Sequence, residues 1–427
     1  MRDQTSKNGV GQNKPYLLPL LLLAGAAAGF AIGGLFGSHW SDPSWGLFVG
    51  FIRLLGDIFM NILKALVIPL IVCSMIVGVS AMGDLRRIGS LFGFTFGYYV
   101  LTTLISVTIG LALVNLIQPG IDAGTAAAAA PHIKEAVVWY EAVFKLVSGM
   151  FPNNLAQAAA DSNILGLIVF SLVFGGILTT LGKKGRRAID FIDTLNEALL
   201  KLVRMVIWLA PIGILGLVAN RIGAAGGGMA VWVELSKLLK YFLTVITGLG
   251  IHAFIVLPAL LYFLSGRNPI RHFRHFAEAL IMAFSTASSA ATLPVTIGSA
   301  REKAGISEEA SGFVLPLGAT VNMDGTALYE AVAVVFIAQA YGIELSFIEM
   351  LIVMLTATLA AIGAAAIPEA GLVTMVMVLT AVKVPVEGVG LLLSIDWFLD
   401  RFRTTVNVWG DAVGCSIVEK RIESLKK

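Results

Sequence analysis

Six polar residues recur at helical spacing in an apolar segment near the C-terminus, DWFLDRFRTTVNVWGD at positions 396–411. At about 100° per residue they occupy an arc of roughly 100° on a helix. The opposite face carries Phe398, Phe402, Val406 and Trp409. A polar stripe on an otherwise apolar helix faces the protein interior, and ionisable groups there are functional candidates. The residues of this polar stripe are Asp396, Asp400, Arg403, Thr404, Asn407 and Asp411.

The polar stripe offers groups that could bind a small charged molecule. The planar guanidinium of Arg403 suits a carboxylate, and Asp400 can accept hydrogen bonds from an ammonium group. Asn407 and Thr326 can hold a second carboxylate. A ligand with all these groups is an acidic amino acid. In the alternative interpretation Asp400 and Arg403 only neutralise each other as an i,i+3 pair, which leaves Asn407 and Asp411 unexplained.

A second polar stretch, VNMDGTALYE at 321–330, lies at the centre of another apolar run. A carboxylate at the middle of a membrane helix costs about 2.5–3.5 kcal/mol on insertion scales, so something must offset it. Asn322, Asp324, Asp411 and the carbonyls of an unwound backbone are oxygen ligands, which hard cations prefer. Gly325 permits the backbone to unwind. The histidines are scattered and do not cluster with cysteine, which argues against a transition-metal site.

Further groups could complete a cation site. Tyr99, Thr102 and Thr103 lie close together on the third apolar segment. The alternative is that their hydroxyls bond back to their own helix. Met323 is a weak sulfur acceptor, and by default a core methionine.

The composition is that of a polytopic membrane protein. Of 427 residues, 57% are hydrophobic and 13% charged, with a net charge of +3 and a mean hydropathy of +0.86. These values, with repeated apolar runs near twenty residues, predict several spanning helices. The cysteines, Cys73 and Cys415, provide no disulfide framework. The apolar segments lie at 16–36, 47–80, 91–117, 137–181, 188–219, 231–264, 277–299, 311–341, 349–382 and 389–417, with possible breaks at Pro69, Pro152, Pro211 and the 321–330 stretch.

The basic clusters define the topology, because positive charge marks the cytoplasmic side. The segment 277–299 has basic residues on both flanks, so it must enter and leave from the cytoplasm as a re-entrant hairpin. The segment 349–382 must then begin and end outside, as a second hairpin. The alternative is that one hairpin is two short spans. The basic clusters lie at 86–87, 183–187, 267–274, 301–303 and 420–427.

The predicted fold is therefore an all-α polytopic membrane protein with eight transmembrane helices and two opposed re-entrant helical hairpins. Hairpins on opposite sides of the membrane are typical of the inverted repeats of secondary transporters. Both termini are predicted to be cytoplasmic. Because irregular backbone at membrane depth must be surrounded by protein or line a cavity, the two hairpin tips, near 285–294 and 361–371, and the 321–330 stretch should meet near the midplane.

Three motifs resemble the signatures of the glutamate transporter family, the sodium-coupled symporters of dicarboxylates and amino acids that include the animal excitatory amino acid transporters. They are NMDGTALYE, the serine-containing tip ending in TLPVT, and DWFLDRFRTTVNVWGD. The resemblance covers nearly the whole chain. It implies a homotrimer in the plasma membrane, or the inner membrane of a bacterium, with an elevator-like mechanism. It also implies a fixed scaffold of helices 1–2 (1–85) and 4–5 (121–225), and a moving transport core of helix 3 (86–120) and residues 226–427.

The resemblance implies the following roles at the substrate site. Arg403, helped by Thr326, would bind the side-chain carboxylate, and Asp400 the amino group. Asn407 and the tip backbone at Ser289 would bind the main-chain carboxylate. A fuller serine run is common at this tip in the family, so the hydroxyl contacts of Ala287-Ser288-Ser289-Ala290 are a point of departure. The full implied substrate set is Ser288, Ser289, Thr326, Ile367, Gly371, Asp400, Arg403, Thr404 and Asn407.

The resemblance also implies three sodium sites. The first would use Asp411 with carbonyls of Gly318, Asn322 and Asn407, the second Tyr99, Thr102, Thr103, Asn322 and Asp324, and the third Thr320, Met323 and carbonyls around Ala361, Ile362 and Ala364.

Glu330 and Arg401 match the animal members of the family. In those proteins this acid links transport to proton and potassium movement, and the arginine lies on the last helix. Burial favours the protonated form of a carboxyl group, so Glu330 could carry a proton. The alternative is a carboxylate paired with Arg401.

The residues and the resemblance together predict a sodium-driven symporter of L-glutamate and L-aspartate, with the bilayer as its environment, no cofactor and no nucleic-acid partner. Alternatives within the same fold are a symporter of dicarboxylates or neutral amino acids, or a substrate-gated anion channel. Arg403 argues against neutral substrates, and Asp400 argues for an amino group. An intramembrane protease is disfavoured, because Asp396 and Asp400 share one helix and there is no HExxH motif.

Overall fold

The computed structural model describes residues 17–81, 85–121, 144, 147–161, 163–363 and 370–425, and their regular structure is helical. The first three helices are α1 (Leu17–Phe36), α2 (Gly46–Ala81) and α3 (Leu85–Ile117). They match the first three apolar segments. Helix α2 continues through Pro69, so the break expected there is wrong.

Four helices follow in the second part of the predicted scaffold. They are α4 (Leu155–Ala160), α5 (Ile164–Thr180), α6 (Gly182–Ile207) and α7 (Ala210–Ala224). The chain is not helical around Pro152, and α7 begins at Ala210, with Pro211 in its first turn, after a short break, so both of those breaks are confirmed. Helix α6 is amphipathic. Its exposed charged residues lie on one face, and its apolar residues lie on a buried face and on a second exposed face.

Helix α1 packs on α7 through glycines spaced four residues apart. A Cβ atom at Gly25 would lie 2.2 Å from the carbonyl oxygen of Pro211, and one at Gly29 would lie 2.8 Å from Cβ of Val218. A Cβ atom at Gly33 would meet Ala219 in the same way. In lipid, helix association depends on such close contact, because the hydrophobic effect does not drive it.

Helix α8 begins at Ala230 and remains helical to Ser265. Its regular part, Ala230–Ile251, widens into π-helical turns at His252–Val256 and Leu261–Ser265. Such turns often occur at functional sites. The first of them places the buried His252 toward the centre of the molecule.

The first predicted hairpin is a pair of helices joined by a tight turn, α9 (Pro269–Thr286) and α10 (Ser289–Gly298), the latter continued to Lys303 by a π-helical turn. Ala287 ends α9 in the left-handed region with φ +49°. The Ser288 side chain then caps α10 by accepting from the amide of Ala291. The helix–turn–helix is confirmed, with its tip at 287–288.

The 321–330 stretch is a broken helix. Helix α11 (Glu308–Val321) ends at Asn322, and α12 (Asp324–Ala340) begins after Met323. Every residue of α12 from Asp324 to Ala338 is buried. The predicted interruption is therefore confirmed, and protein surrounds its backbone as irregular structure at membrane depth requires.

The remaining helices are α13 (Phe347–Gly363), α14 (Ala370–Ala381) and α15 (Val389–Leu425). Helices α13 and α14 are the arms of the second predicted hairpin, and they pack on each other. At 1.5 Å per residue, α14 rises only about 18 Å, less than the hydrocarbon thickness of about 30 Å. The described part of this arm alone is shorter than a span, and the alternative of two short spans stays a prediction. Residues 364–369, the predicted tip, lie outside the described residues.

The helices are those of a multi-pass membrane protein. Among the described residues, five are long and apolar enough to cross a membrane, and α6 with α7 as one bent span would be a sixth. The count of eight spans and the opposed orientation of the hairpins stay predictions. The five spans are Leu20–His39, Pro43–Ser80, Gly93–Ile117, Ala230–Ser265 and Glu308–Ala340.

We expect Gly29→Leu to destabilise the protein. Its side chain would overlap Val218 and the carbonyl of Leu215, and overpacking of this kind costs about 1–3 kcal/mol. Thermal unfolding in detergent should therefore occur several degrees lower. Gly50→Leu is the matched control, because a Cβ atom there meets nothing within 4 Å. Equal unfolding temperatures for the two variants would contradict this account of the α1–α7 contact.

Candidate functional site

The polar stripe of α15 faces the start of α12. The Asn407 side chain accepts a hydrogen bond from the amide of Gly325 at 2.8 Å and donates to the hydroxyl of Thr326 at 3.2 Å. A Cβ atom at Gly325 would lie 2.7 Å from the carbonyl oxygen of Arg403, so only glycine allows this approach. The polar stripe therefore contacts the helix break, as predicted.

Arg403 is fully buried between two carboxylates of its own helix. Its Nη2 donates to Oδ1 of Asp400 at 2.8 Å, and its Nη1 lies 3.0 Å from Oδ1 of Asp396. Its guanidinium carbon lies 3.9 Å from the ring centroid of Tyr329, a cation–π contact. The i,i+3 pair considered as an alternative exists, but Asp396 joins it. The two acids hold the guanidinium in place, where a carboxylate of a ligand could exchange with one of them.

The second hairpin reaches the same guanidinium. A Cβ atom at Gly371 in α14 would lie 2.8 Å from Nη1 of Arg403. Thr404, Ser288 and Ser289 are buried as well, the serines at the tip of the first hairpin. Of the predicted substrate residues, Ile367 lies outside the described residues.

Asp324 is the centre of a buried polar cluster. Its Oδ1 accepts from the hydroxyl of Thr103 at 2.7 Å and lies 3.3 Å from that of Thr102. Its Oδ2 lies 2.9 Å from Nε2 of His252, and its carbonyl accepts from Ser106 at 2.9 Å. The predicted association of α3 hydroxyls with Asp324 is present. The Thr102 hydroxyl also lies 3.1 Å from the carbonyl of Tyr99, so the back-bonding alternative holds in part.

A second cluster surrounds Asp411. Its Oδ1 accepts from the Asn322 side-chain amide at 2.9 Å. A Cβ atom at Gly318 would lie 2.3 Å from the same oxygen and 2.6 Å from the Tyr99 hydroxyl, which donates to the carbonyl of Val314. The Oδ1 of Asn322 is buried and accepts no hydrogen bond from the described residues. A buried amide oxygen beside carboxylates fits a cation with oxygen ligands.

The third predicted ion site is only partly within the described residues. Met323, Ala361 and Ile362 are buried, and Thr320 is partly exposed with its hydroxyl bonded to the carbonyl of Leu317. Ala364 lies outside the described residues. This set therefore stays a prediction.

Glu330 and Arg401 do not pair with each other. The carboxylate of Glu330 is fully buried and accepts a short hydrogen bond from Thr374 in α14. Arg401 donates instead to the carbonyls of Phe284 and Ser285, at 3.0 and 2.9 Å, which end the first arm of hairpin one. The alternative of a Glu330–Arg401 pair is therefore wrong for this structure, and Arg401 is a helix cap beside the tip.

Sequence reasoning assigned no role at the site to four residues that the structure places there. Asp396 lay on the polar stripe, and its arc could have identified it as a second partner of Arg403. His252 was only one of the scattered histidines in the sequence, and its place within an apolar helix was a signal of a buried polar partner. Tyr329 and Thr374 carry no such signal, because both resemble ordinary core residues in sequence.

The chain is similar to known transporters over most of its length. The sequence model described as "Sodium:dicarboxylate symporter family" matches residues 18–421. Excitatory amino acid transporter 3 of Mus musculus is 41% identical, with 86% of this chain and 78% of that protein covered. A putative sodium-dependent excitatory amino acid transporter of Caenorhabditis elegans is 38% identical, with 94% and 90% covered. Excitatory amino acid transporter 1 of Ambystoma tigrinum is 39% identical, with 85% and 76% covered.

Gly318→Ala should abolish cation binding near Asp411. Its Cβ atom would displace both the carboxylate and the Tyr99 hydroxyl. We expect wild-type protein to unfold at a higher temperature in sodium chloride than in choline chloride, since a bound ligand stabilises the folded state. The variant should lose most of that difference. Gly312→Ala, on the same helix but with its nearest contact at 3.5 Å, should keep it. A full sodium response in Gly318→Ala would contradict the assignment.

Proposed function

Because the chain belongs to the sodium:dicarboxylate symporter family, we propose that it is a sodium-driven symporter of acidic amino acids, L-glutamate or L-aspartate. It is a transporter and not an enzyme. The observation that carries the proposal is the fully buried Arg403, which lies between Asp396 and Asp400 beside the interrupted helix. A buried guanidinium in a membrane protein needs anionic partners, and a substrate carboxylate can be one of them.

The groups around Arg403 favour an acidic amino acid over a plain dicarboxylate. Arg403 and Thr326 bind the side-chain carboxylate, and Asp400, once released from Arg403, accepts from the amino group. Asn407 binds the main-chain carboxylate together with the backbone at Ser289 and the hydroxyl of Thr404. Of the remaining members of the substrate set, Ser288 lies at the tip of the first hairpin and Gly371 in the first turn of α14. Ile367 belongs to the proposed set and lies outside the described residues.

Sodium enters as a co-substrate held by oxygen ligands. Asp411, Asn322 and the carbonyl of Gly318 form one site, and Asp324 with the α3 hydroxyls forms another. Asp324 and Asp411 are both buried, and Asn322 donates a hydrogen bond to Asp411 at 2.9 Å. Two buried carboxylates at the same helix break need a nearby cation. Each sodium ion that enters across 100 mV gains about 2.3 kcal/mol, which drives uptake against a gradient.

The assembly we propose is a homotrimer in the plasma membrane with both termini in the cytoplasm. Helix α6 supports it, since exposed apolar residues on one face recur at alternating spacings of four and three. Such a seam suits association with another helix. The residues of this seam are Phe191, Leu195, Ala198, Leu202 and Met205. The scaffold of 1–85 and 121–225 then stays fixed while 86–120 and 226–427 move as an elevator.

Uptake into proteoliposomes tests the function. We expect concentrative aspartate uptake when sodium is high outside and almost none when choline replaces it. Arg403→Cys should lower uptake of aspartate at least about thirtyfold, because a buried charge pair loses one partner, and should allow uptake of neutral amino acids. Arg421→Cys, exposed on the same helix, is the control. Uptake of aspartate by Arg403→Cys at the wild-type rate would refute the role of the arginine.

Glu330 is proposed as the group that couples protons and potassium to transport. We expect Glu330→Gln to remove the dependence of net uptake on external pH and internal potassium, because glutamine keeps the acceptor for Thr374 but cannot exchange a proton. The measurement is uptake under imposed proton and potassium gradients, with the exposed Glu302→Gln as control. The same pH and potassium dependence in Glu330→Gln and wild type would exclude this role, and sodium would then be the coupling ion that remains.

A further inference from the structure

Two cations of the scaffold reach across to the transport core at one end of the molecule. We infer that Lys64 and Arg221 form a latch that holds the core in the position seen here, and that they are positioning residues for transport. The inference rests on the proposed division into scaffold and core. It adds a determinant of the resting position that lies away from the substrate and sodium ligands.

The first contact of the latch is an ion pair. The Nζ of Lys64 in α2 lies 2.8 Å from Oε1 of Glu387, in the turn Val386–Gly388 that precedes α15. The side chains are 41% and 43% exposed. A pair with this much solvent access is weak and reversible, which suits a contact that must break in each transport cycle.

The second contact of the latch is made by Arg221 in the last turn of α7. Its Nη2 donates to the carbonyl of Ala340 at 2.8 Å and lies 3.4 Å from Oε1 of Glu234. Its guanidinium carbon lies 4.8 Å from the ring centroid of Tyr341. Ala340 ends α12, where carbonyls lack partners within the helix. A cation there satisfies one of them and interacts favourably with the helix dipole.

The boundary between these contacts is not closely packed. A cavity of about 220 Å³ separates Arg53 and Asn220 of the scaffold from Phe336 and Leu391 of the core. Beside this cavity Leu217 of the scaffold packs on Gly390 of the core, where a Cβ atom would lie 2.5 Å from Cβ of Leu217. Because glycine has no side chain, a shift of the core does not have to disengage an interlocked pair of side chains at this contact.

The core can leave Arg221 without exposing a bare buried charge. Glu234 keeps a second partner on its own helix, since Nζ of Lys237 lies 3.0 Å from Oε1 of the same carboxylate. Because a buried carboxylate with no partner is strongly destabilising, Lys237 is what makes release from Arg221 feasible. The latch is thus built to open.

The test measures the position of the core directly. We would place dyes on Lys184→Cys of the scaffold and Lys420→Cys of the core, in one protomer per assembly, with Cys73 replaced by serine. Single-molecule energy transfer then reports the ratio of the position seen here to any other. Lys64→Gln and Glu387→Gln should each lower that ratio about two- to fivefold, and Arg221→Gln about tenfold.

The reversed pair and a matched pair within the core make the test specific. Lys64→Glu combined with Glu387→Lys should restore the wild-type ratio, whereas loss of folding alone would not be rescued. Glu278→Gln breaks the exposed Lys303–Glu278 pair inside hairpin one and should leave the ratio unchanged. The maximal uptake rate should change in the single variants, with a change of less than about twofold in the KM for aspartate.

The outcomes separate the latch from the transport function. A single core position in wild-type protein, an unchanged ratio in all three single variants, or failure of the reversed pair to restore it would overturn the latch. Shifted ratios in a chain that shows no sodium-driven uptake would support the latch and sink the proposed function. Normal sodium-driven uptake with unchanged position ratios in the variants would support the proposed function and overturn the latch.

Discussion

The structure depends on the burial of one guanidinium in the interior of a membrane protein. Arg403 has no solvent exposure, and the penalty for an isolated buried ion is several kcal/mol even after relaxation. Asp396 and Asp400 supply the compensating charge from the same helix, two turns and one turn before the arginine. Their positions explain why α15 carries a polar stripe, why α12 must approach it, and why small residues line the contact.

Glycine makes that approach possible at three points around the broken helix. Side chains at Gly318, Gly325 or Gly410 would overlap Asp411, the backbone of Arg403 or the amide of Asn322. Glycine therefore occupies helix positions where two polar surfaces must touch, although it stabilises a helix less than other residues do. The interruption at Asn322 and Met323 frees backbone groups in the same place, and the buried protein around them keeps those groups away from lipid.

Most of the fold and much of the site could be predicted from the sequence, because the interior of a membrane allows few backbone structures for each sequence pattern. Charge parity predicted the first helical hairpin and the two arms of the second. The helical arc of the last segment predicted that Asn407 and Asp411 lie at the helix break. Contacts between distant segments could not be predicted in this way. The partners Thr374 of Glu330 and His252 of Asp324 depend on how helices rotate against one another, and the continuous helix through Pro69 shows that neighbouring helices can accommodate a proline.

The charge balance of the site explains why sodium and substrate should move together. Among the described residues around the broken helix, five acids and one arginine, Arg403, are buried. The acids are Asp324, Glu330, Asp396, Asp400 and Asp411. In the proposed elevator mechanism, a core with so many ionised carboxylates would be too costly to move through a low-dielectric region. In the proposed mechanism a proton on Glu330 and cations at Asp324 and Asp411 neutralise these groups. An acidic substrate adds further negative charge, so its binding strengthens the need for cations at Asp324 and Asp411. Coupling then follows from electrostatics and does not require direct contact between the ions and the substrate.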